Sequence, residues 1–344
     1  MKKFKDFMCA IGMTLIFSYV ILWAASRVLI PKWLDAENNR AAYIIKGFYR
    51  EPKNSLDVLF TGNSDVFRGV SPMEIYDAKG IKSYNFVSPG QRIWIAYPML
   101  EEALRYQKPK VVFFNVDEVY FTSQTFGNAH KAYDNMKFGW PKIKGILDPS
   151  YKHWGKLSHF LPIFIYHDRY KELTDDDFKY AFGDYDDYLR GMDLIANSKP
   201  YVASEDYMAR SQETAVIPKS NLTYLDKMRV LCEKRGIEFV LFEVPSPDSW
   251  NYKKHNALEE YANKYGLKFL DLNLHLDELN IDWNTDTADG GDHLNVFGAE
   301  KVSRYLADYI EENFAIEAKR NERWDEHYEE YRKFKENAIN GIQS

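Results

Sequence analysis

Two short stretches carry residue types suited to nucleophilic acyl transfer: Gly62-Asn63-Ser64, and Asp289-Gly290-Gly291-Asp292-His293. Ser64 follows the apolar run "DVLFTG" by two residues, Gly62 permits a tight exit, and no bulky side chain covers the hydroxyl before Val66. A serine hydroxyl hardly ionises at neutral pH, so it needs a base. His293 is the candidate, because a loop bounded by glycines can aim an imidazole without burying it. Asp289 and Asp292 could each orient the ring and stabilise its charged form. Adjacent side chains usually point apart, which favours Asp289 and leaves Asp292 as the alternative acid. "GNS" is also what a turn looks like, so the serine decides nothing until a fold brings the two stretches together.

The neighbouring run "DWNTDTADGGD" is acidic enough to suggest calcium, but its spacing does not follow the D-x-D-x-D-G ladder of ligands. The two cysteines, Cys9 and Cys232, supply neither a thiolate cage nor a disulfide within the soluble part. No metal and no cofactor are expected.

The elements that must position these residues are legible as an alternation. Short apolar, β-branched or aromatic runs over 57–62, 83–87, 110–116, 238–245 and 268–273 predict strands. Helical periods lie between or after them, over 71–78, 94–106, 222–234, 255–265 and 299–314. Ser71-Pro72-Met73-Glu74 reads as a capping box with proline at the first helical position, and Asn295 as the cap of the helix whose apolar face is Val302, Leu306 and Ile310. Strands separated by helices predict an α/β fold, with helices on both faces of a five-stranded parallel sheet and ligands at the carboxyl ends of the strands. Residues 120–218 break the alternation with aromatic and acidic clusters. They predict a helical or irregular insertion, placed to cap the cleft or else to serve as a separate decoration. A charged helix over about 315–340 carries Trp324, Tyr328 and Tyr331 on one face, a stripe that favours packing.

Of the 344 residues, 45% are hydrophobic, enough to fill a sizeable core. The net charge is −6 and no basic block rises above the mixed-charge background, which argues against nucleic acid as a partner. From Phe7 to Ser26 the chain has no charged residue, and at about 1.5 Å per residue this run spans roughly 30 Å, the thickness of a bilayer core. Residues 1–34 thus predict a membrane anchor. Lys2, Lys3 and Lys5 before it point the amino terminus to the cytoplasm, and residues 35–344 outward, as a single-pass protein of the cell membrane. A cleaved secretory signal is the rival reading, and it too exports the domain.

"GNSDVF" at a strand end, "YNFVSPGQ" after the second strand and the pattern D-x-x-x-H-L-N-x-x-G-A near the end resemble the SGNH/GDSL hydrolase superfamily. Within it they are most similar to the membrane-anchored branch that includes the D-alanyl-lipoteichoic acid protein DltD and the alginate acetylation protein AlgJ. The resemblance covers roughly residues 55–125 and 215–313. It implies a flavodoxin-like three-layer fold, with Ser64 as nucleophile, His293 as base, and the backbone amides of Ser64 and Gly90 as the oxyanion hole. The family's acid usually stands three residues before the histidine, where this chain has Gly290. The asparagine that many members carry after the third strand is replaced by a choice between Asn115, one step early, and Asp117. Around such a site Asn63, Arg68, Trp250 and Asn295 are candidates for contacting substrate, with Lys253 beside Trp250. Arg68 reads equally as an ion-pair partner, and Trp250 as loop packing.

The resemblance further implies a serine esterase or O-acyltransferase acting on ester groups of a cell-surface polysaccharide or acylated polymer, beside a multispanning membrane acyltransferase. The rival of another class is a non-catalytic accessory protein that keeps the fold. A glycoside hydrolase with paired carboxylates is a third reading, and the sequence cannot place such a pair.

Overall fold

A computed structural model of the chain describes residues 1–35, 40–123, 126–202, 204 and 207–343. Five strands occupy the five expected runs: β1 (Val58–Thr61), β2 (Ser83–Asn85), β3 (Val111–Asn115), β4 (Glu238–Glu243) and β5 (Lys268–Asp271). They pair in parallel in the order β2-β1-β3-β4-β5, which is the flavodoxin-like order. β1, β2 and β3 are buried along their whole length. Both faces of the sheet are covered, and this is why the strands read as continuous apolar runs rather than as alternating ones.

Parallel crossovers are right-handed, so the reversal of direction after β2 puts helices on opposite faces. Between β1 and β2 lie helices α3 (Ser64–Gly69) and α4 (Pro72–Lys79); the helix Val296–Asn313 packs on both. The Ser71 amide donates to Ser303 Oγ across that contact, at 2.7 Å. On the other face α5 (Ile93–Tyr106) packs against the helix Lys219–Glu233. Of the anticipated caps, Asn295 accepts from the amides of Phe297 and Gly298. The capping box is half formed: Ser71 Oγ accepts from the Glu74 amide, while the Glu74 carboxylate turns instead to Arg304, Tyr331 and Lys335.

The chain opens with α1 (Lys2–Leu29), one helix long and apolar enough to cross a membrane. Its far end is tied to residues 120–218 by polar bonds: Arg27 Nε donates to the Ala181 carbonyl, the Ile163 amide to Ser26 Oγ, and Arg169 to the Leu29 carbonyl. Residues 163–181 therefore attach to the end of α1. A later part, from Asp187 to Tyr201, runs along the carboxyl edge of the sheet: the Asn85 amide donates to Arg190, Asp193 to Phe67, Val296 to Ile195, and Lys199 to Thr287. The helix Glu322–Gln343 ends the described chain, and its aromatic stripe is packing, with Trp324 and Tyr331 buried.

Candidate active site

The switch point of a 2-1-3-4-5 sheet lies between the carboxyl ends of β1 and β3. β1 exits there through Gly62, Asn63 and Ser64. Gly62 has φ +150°, and a Cβ on it would lie 2.7 Å from Val66 and 2.8 Å from Asn115, so only glycine fits so close to β3. Asn63 caps α3: its Oδ1 accepts from the Asp65 amide at 3.0 Å. Ser64 is thereby the first residue of α3, half-buried, with its hydroxyl making no hydrogen bond among the described residues.

The loop before the helix Val296–Asn313 brings His293 to the same corner. Two glycines at positive φ, Gly290 (+90°) and Gly291 (+108°), let the loop turn back, and an isolated bridge joins Thr287 to Leu294. The imidazole is held from behind by Asp289, whose Oδ2 lies 2.6 Å from Nδ1 while its Oδ1 accepts from the His293 amide at 2.8 Å. Asp292 stands farther off, its Oδ2 3.3 Å from Nδ1. Asp289 thus reaches the ring from four residues before it, a spacing the double turn of glycines permits.

Beyond the ring, Nε2 faces Asp65 rather than a hydroxyl: Asp65 Oδ1 lies at 3.8 Å. Asp65 is the residue after Ser64, so the two stretches meet at one corner, but no Ser64–His293 hydrogen bond is formed. Catalytic hydrogen bonds are often long in unliganded enzymes. Asp65 was not singled out from the sequence, where it reads as a first-turn helix acid. It is buried, with Asn115 Nδ2 3.5 Å from its other oxygen. Burial pushes its carboxyl up to about 7 against the pull of His293, with Asp117 and Asp292 adding to the rise. Burial would lower His293, but the hydrogen bond it donates to Asp289 and the charges of Asp65 and Asp292 outweigh it and raise the ring above its ordinary value. In Asp289, burial pushes upward and the bonds from His293 prevail, holding it below the usual carboxylate range.

Several expected participants are engaged elsewhere. Asn115 is fully buried, accepting from the Val244 amide and facing Asp65. Asp117 is paired with Lys254 at 3.0 Å, and its backbone amide donates to Glu243. Trp250, anticipated in the cleft, is 2% exposed and donates Nε1 to Asp271, which also bonds His255. It belongs to the packing under β5. Asn295 is likewise buried, its amide nitrogen spent on Asn197, Ser198 and Thr285. Arg68 is paired with Asp193 of the insertion at 3.0 Å, the ion-pair reading; Lys253 pairs with Glu213.

Gly90, after β2, has φ +54°, and a Cβ there would overlap Asn128 Nδ2 at 2.0 Å. That nitrogen belongs to helix α6 (Phe126–Tyr133) in the insertion and is a side-chain donor beside Gly90 that the sequence did not flag. Among the described residues, two groups have the makings of a metal site, His130/Asp134/His159 and Asp289/Asp292/His293. In the first, the Nδ1 of each histidine bonds Asp134, while their Nε2 atoms bond Ser158 and Tyr151. Every ring nitrogen there has a partner, so the donor set reads as a closed hydrogen-bond network.

No protein-family model matches the chain, and no curated protein does. Among solved structures, the chain is similar to one from Bacteroides fragilis described as "a putative acylhydrolase", at 12% identity and a TM-score of 0.37, over 78% of this chain and 94% of that one.

Proposed function

We propose that this protein is a membrane-anchored serine esterase or O-acyltransferase whose domain faces outward and acts on ester groups of a cell-surface polysaccharide or other acylated polymer. The observation that carries the reading is the Asp289–His293 pair, aimed at the corner where β1 delivers Ser64. His293 Nε2 accepts the Ser64 proton as Oγ attacks the ester carbonyl, and Asp289 holds the ring in the required tautomer. The amides of Ser64 and Gly90 receive the oxyanion, with Asn128 beside them. Collapse returns the proton from His293 to the departing alcohol and leaves an acyl-serine. Water then completes an esterase; a polymer hydroxyl completes a transferase. Asn63 shapes the nucleophile's turn, and residues 187–201 run beside it along the same edge of the sheet. The likeness to DltD and AlgJ favours polymer modification beside a multispanning acyltransferase.

The second reading is a non-catalytic accessory protein, favoured by the carboxylate of Asp65 in the direction where a triad would place the hydroxyl. The full chain in detergent, treated with a fluorophosphonate probe and with an activated aryl acetate, separates the two. Labelling and turnover that vanish in Ser64→Ala are expected of the enzyme. Absence of both in folded protein overturns it.

A further inference from the structure

At the far end of α1 a cavity of about 410 Å³ opens between the anchor and the insertion. Val20 and Trp23 of α1 form one apolar wall, and Phe160 another. Arg27, Lys137 and Lys142 line it too. A second hollow of about 240 Å³ shares Arg27 and Lys137 with the first and adds Lys46.

None of these four cations has a carboxylate partner among the described residues. Lys142 is 7% exposed, and the one acceptor it meets is the Met136 carbonyl at 3.5 Å. Lys46 donates to the Tyr185 hydroxyl at 3.1 Å. Arg27 gives Nε to a carbonyl and lies over the Trp23 and Phe182 rings; Lys137 lies over the rings of Tyr49 and Tyr106. The carboxylate in the cavity, Asp134, is already held by His130 at 2.7 Å and His159 at 3.3 Å. Burial first, and then the charge of Arg27, pulls the Lys46 amine down to about 7; burial pulls Lys142 to about 8 against the attraction of Asp134. Clustered cations that outnumber the carboxylate beside them are costly, and an anion entering the cavity would relieve that cost.

The place of the cavity along α1 says what kind of anion. The uncharged run ends at Ser26, so Arg27 is the first charge beyond the stretch that fits a bilayer core, at the depth of lipid headgroups. Around this end the insertion exposes Trp154, Phe164, Phe178 and Phe182, each by 60% or more, a composition suited to the membrane interface. We propose that this cavity binds the phosphate-bearing headgroup of an anionic membrane lipid, with the lipid tail lying along Val20 and Trp23. The inference rests on α1 as a membrane helix and is independent of the Ser64 chemistry.

The test uses the full chain reconstituted in vesicles of phosphatidylcholine with about one-fifth phosphatidylglycerol. Flotation with the vesicles tests the anchor separately. After extraction into detergent, native mass spectrometry counts the lipids retained. At least tenfold preference for phosphatidylglycerol is expected, falling fivefold or more in Lys142→Gln and Arg27→Gln and unchanged in Ser64→Ala. Lys137→Gln, at an exposed position, keeps the test open should the buried variants misfold. Equal retention of both lipids in a floating wild type, or full preference in the folded variants, would overturn the proposal. Release of the retained lipid by millimolar inorganic phosphate would assign a free-phosphate site and overturn it too.

Discussion

Removing the charge of Asp65 tests whether His293 is the working base. Two unit charges 3.8 Å apart interact by about 4 kcal/mol at an effective dielectric near 20. The actual coupling is smaller, since Asp65 is pushed up to about 7 and is only partly ionised at neutrality, while the His293 side chain keeps 19% exposure to water. Roughly a third of the full value, about 1.4 kcal/mol, corresponds to one pKa unit on the ring. The sign follows from which form acts. A base works unprotonated, and Asp65 favours the protonated imidazole, so Asp65→Asn lowers the ring's pKa. The acid limb of the pH dependence of fluorophosphonate labelling should therefore move down by about one unit, with the plateau at high pH retained. Asp117 and Asp292 also act on Asp65, so the wild-type limb belongs to the coupled group and not to His293 alone. A limb that stays in place, or moves up, in folded Asp65→Asn protein refutes the assignment.

Two further outcomes are expected. Asp289→Asn should cut labelling by on the order of 10²–10⁴ through loss of the tautomer-fixing bond, whereas Asp292→Asn, whose oxygen stands at 3.3 Å against 2.6 Å, should cost less than tenfold; equal losses measured by stopped-flow labelling would reverse the choice of acid. Trp250→Phe removes the bond from Nε1 to buried Asp271 and should lower stability by about 1–2 kcal/mol in denaturant melts while labelling stays within twofold, and a loss of labelling without a loss of stability would return this residue to the cleft.

The sheet was legible because parallel strands buried on both faces leave unbroken apolar runs, and Val111 to Asn115 reads so without help from any other part of the chain. His293 and Asp289 were legible together because the three residues between them, two of them glycine, form a local geometry. What escaped was decided by distant chain. Nothing around Asp65 says that an imidazole far along the sequence will face it, and nothing around Asn128 says that Gly90 lies beside it. Trp250 misled for a related reason: a tryptophan in a polar loop looks exposed until the carboxylate of Asp271, on the neighbouring strand, claims its N–H. Arg68 could not be resolved either, since its partner Asp193 lies in the stretch whose pattern broke.

The clasp on Glu74 makes the first crossover depend on distant chain. That buried carboxylate, on the first crossover of the sheet, accepts from Tyr331 and Lys335, and Trp324 packs at a tilt against Tyr76 of the same helix, with ring centroids 5.1 Å apart. The opening βα unit is thus sealed by side chains 257 and 261 positions farther along the chain. Without the helix Glu322–Gln343 this buried carboxylate would keep Arg304 as its cationic partner among the described residues, so the charge balance of the first crossover depends on chain far downstream.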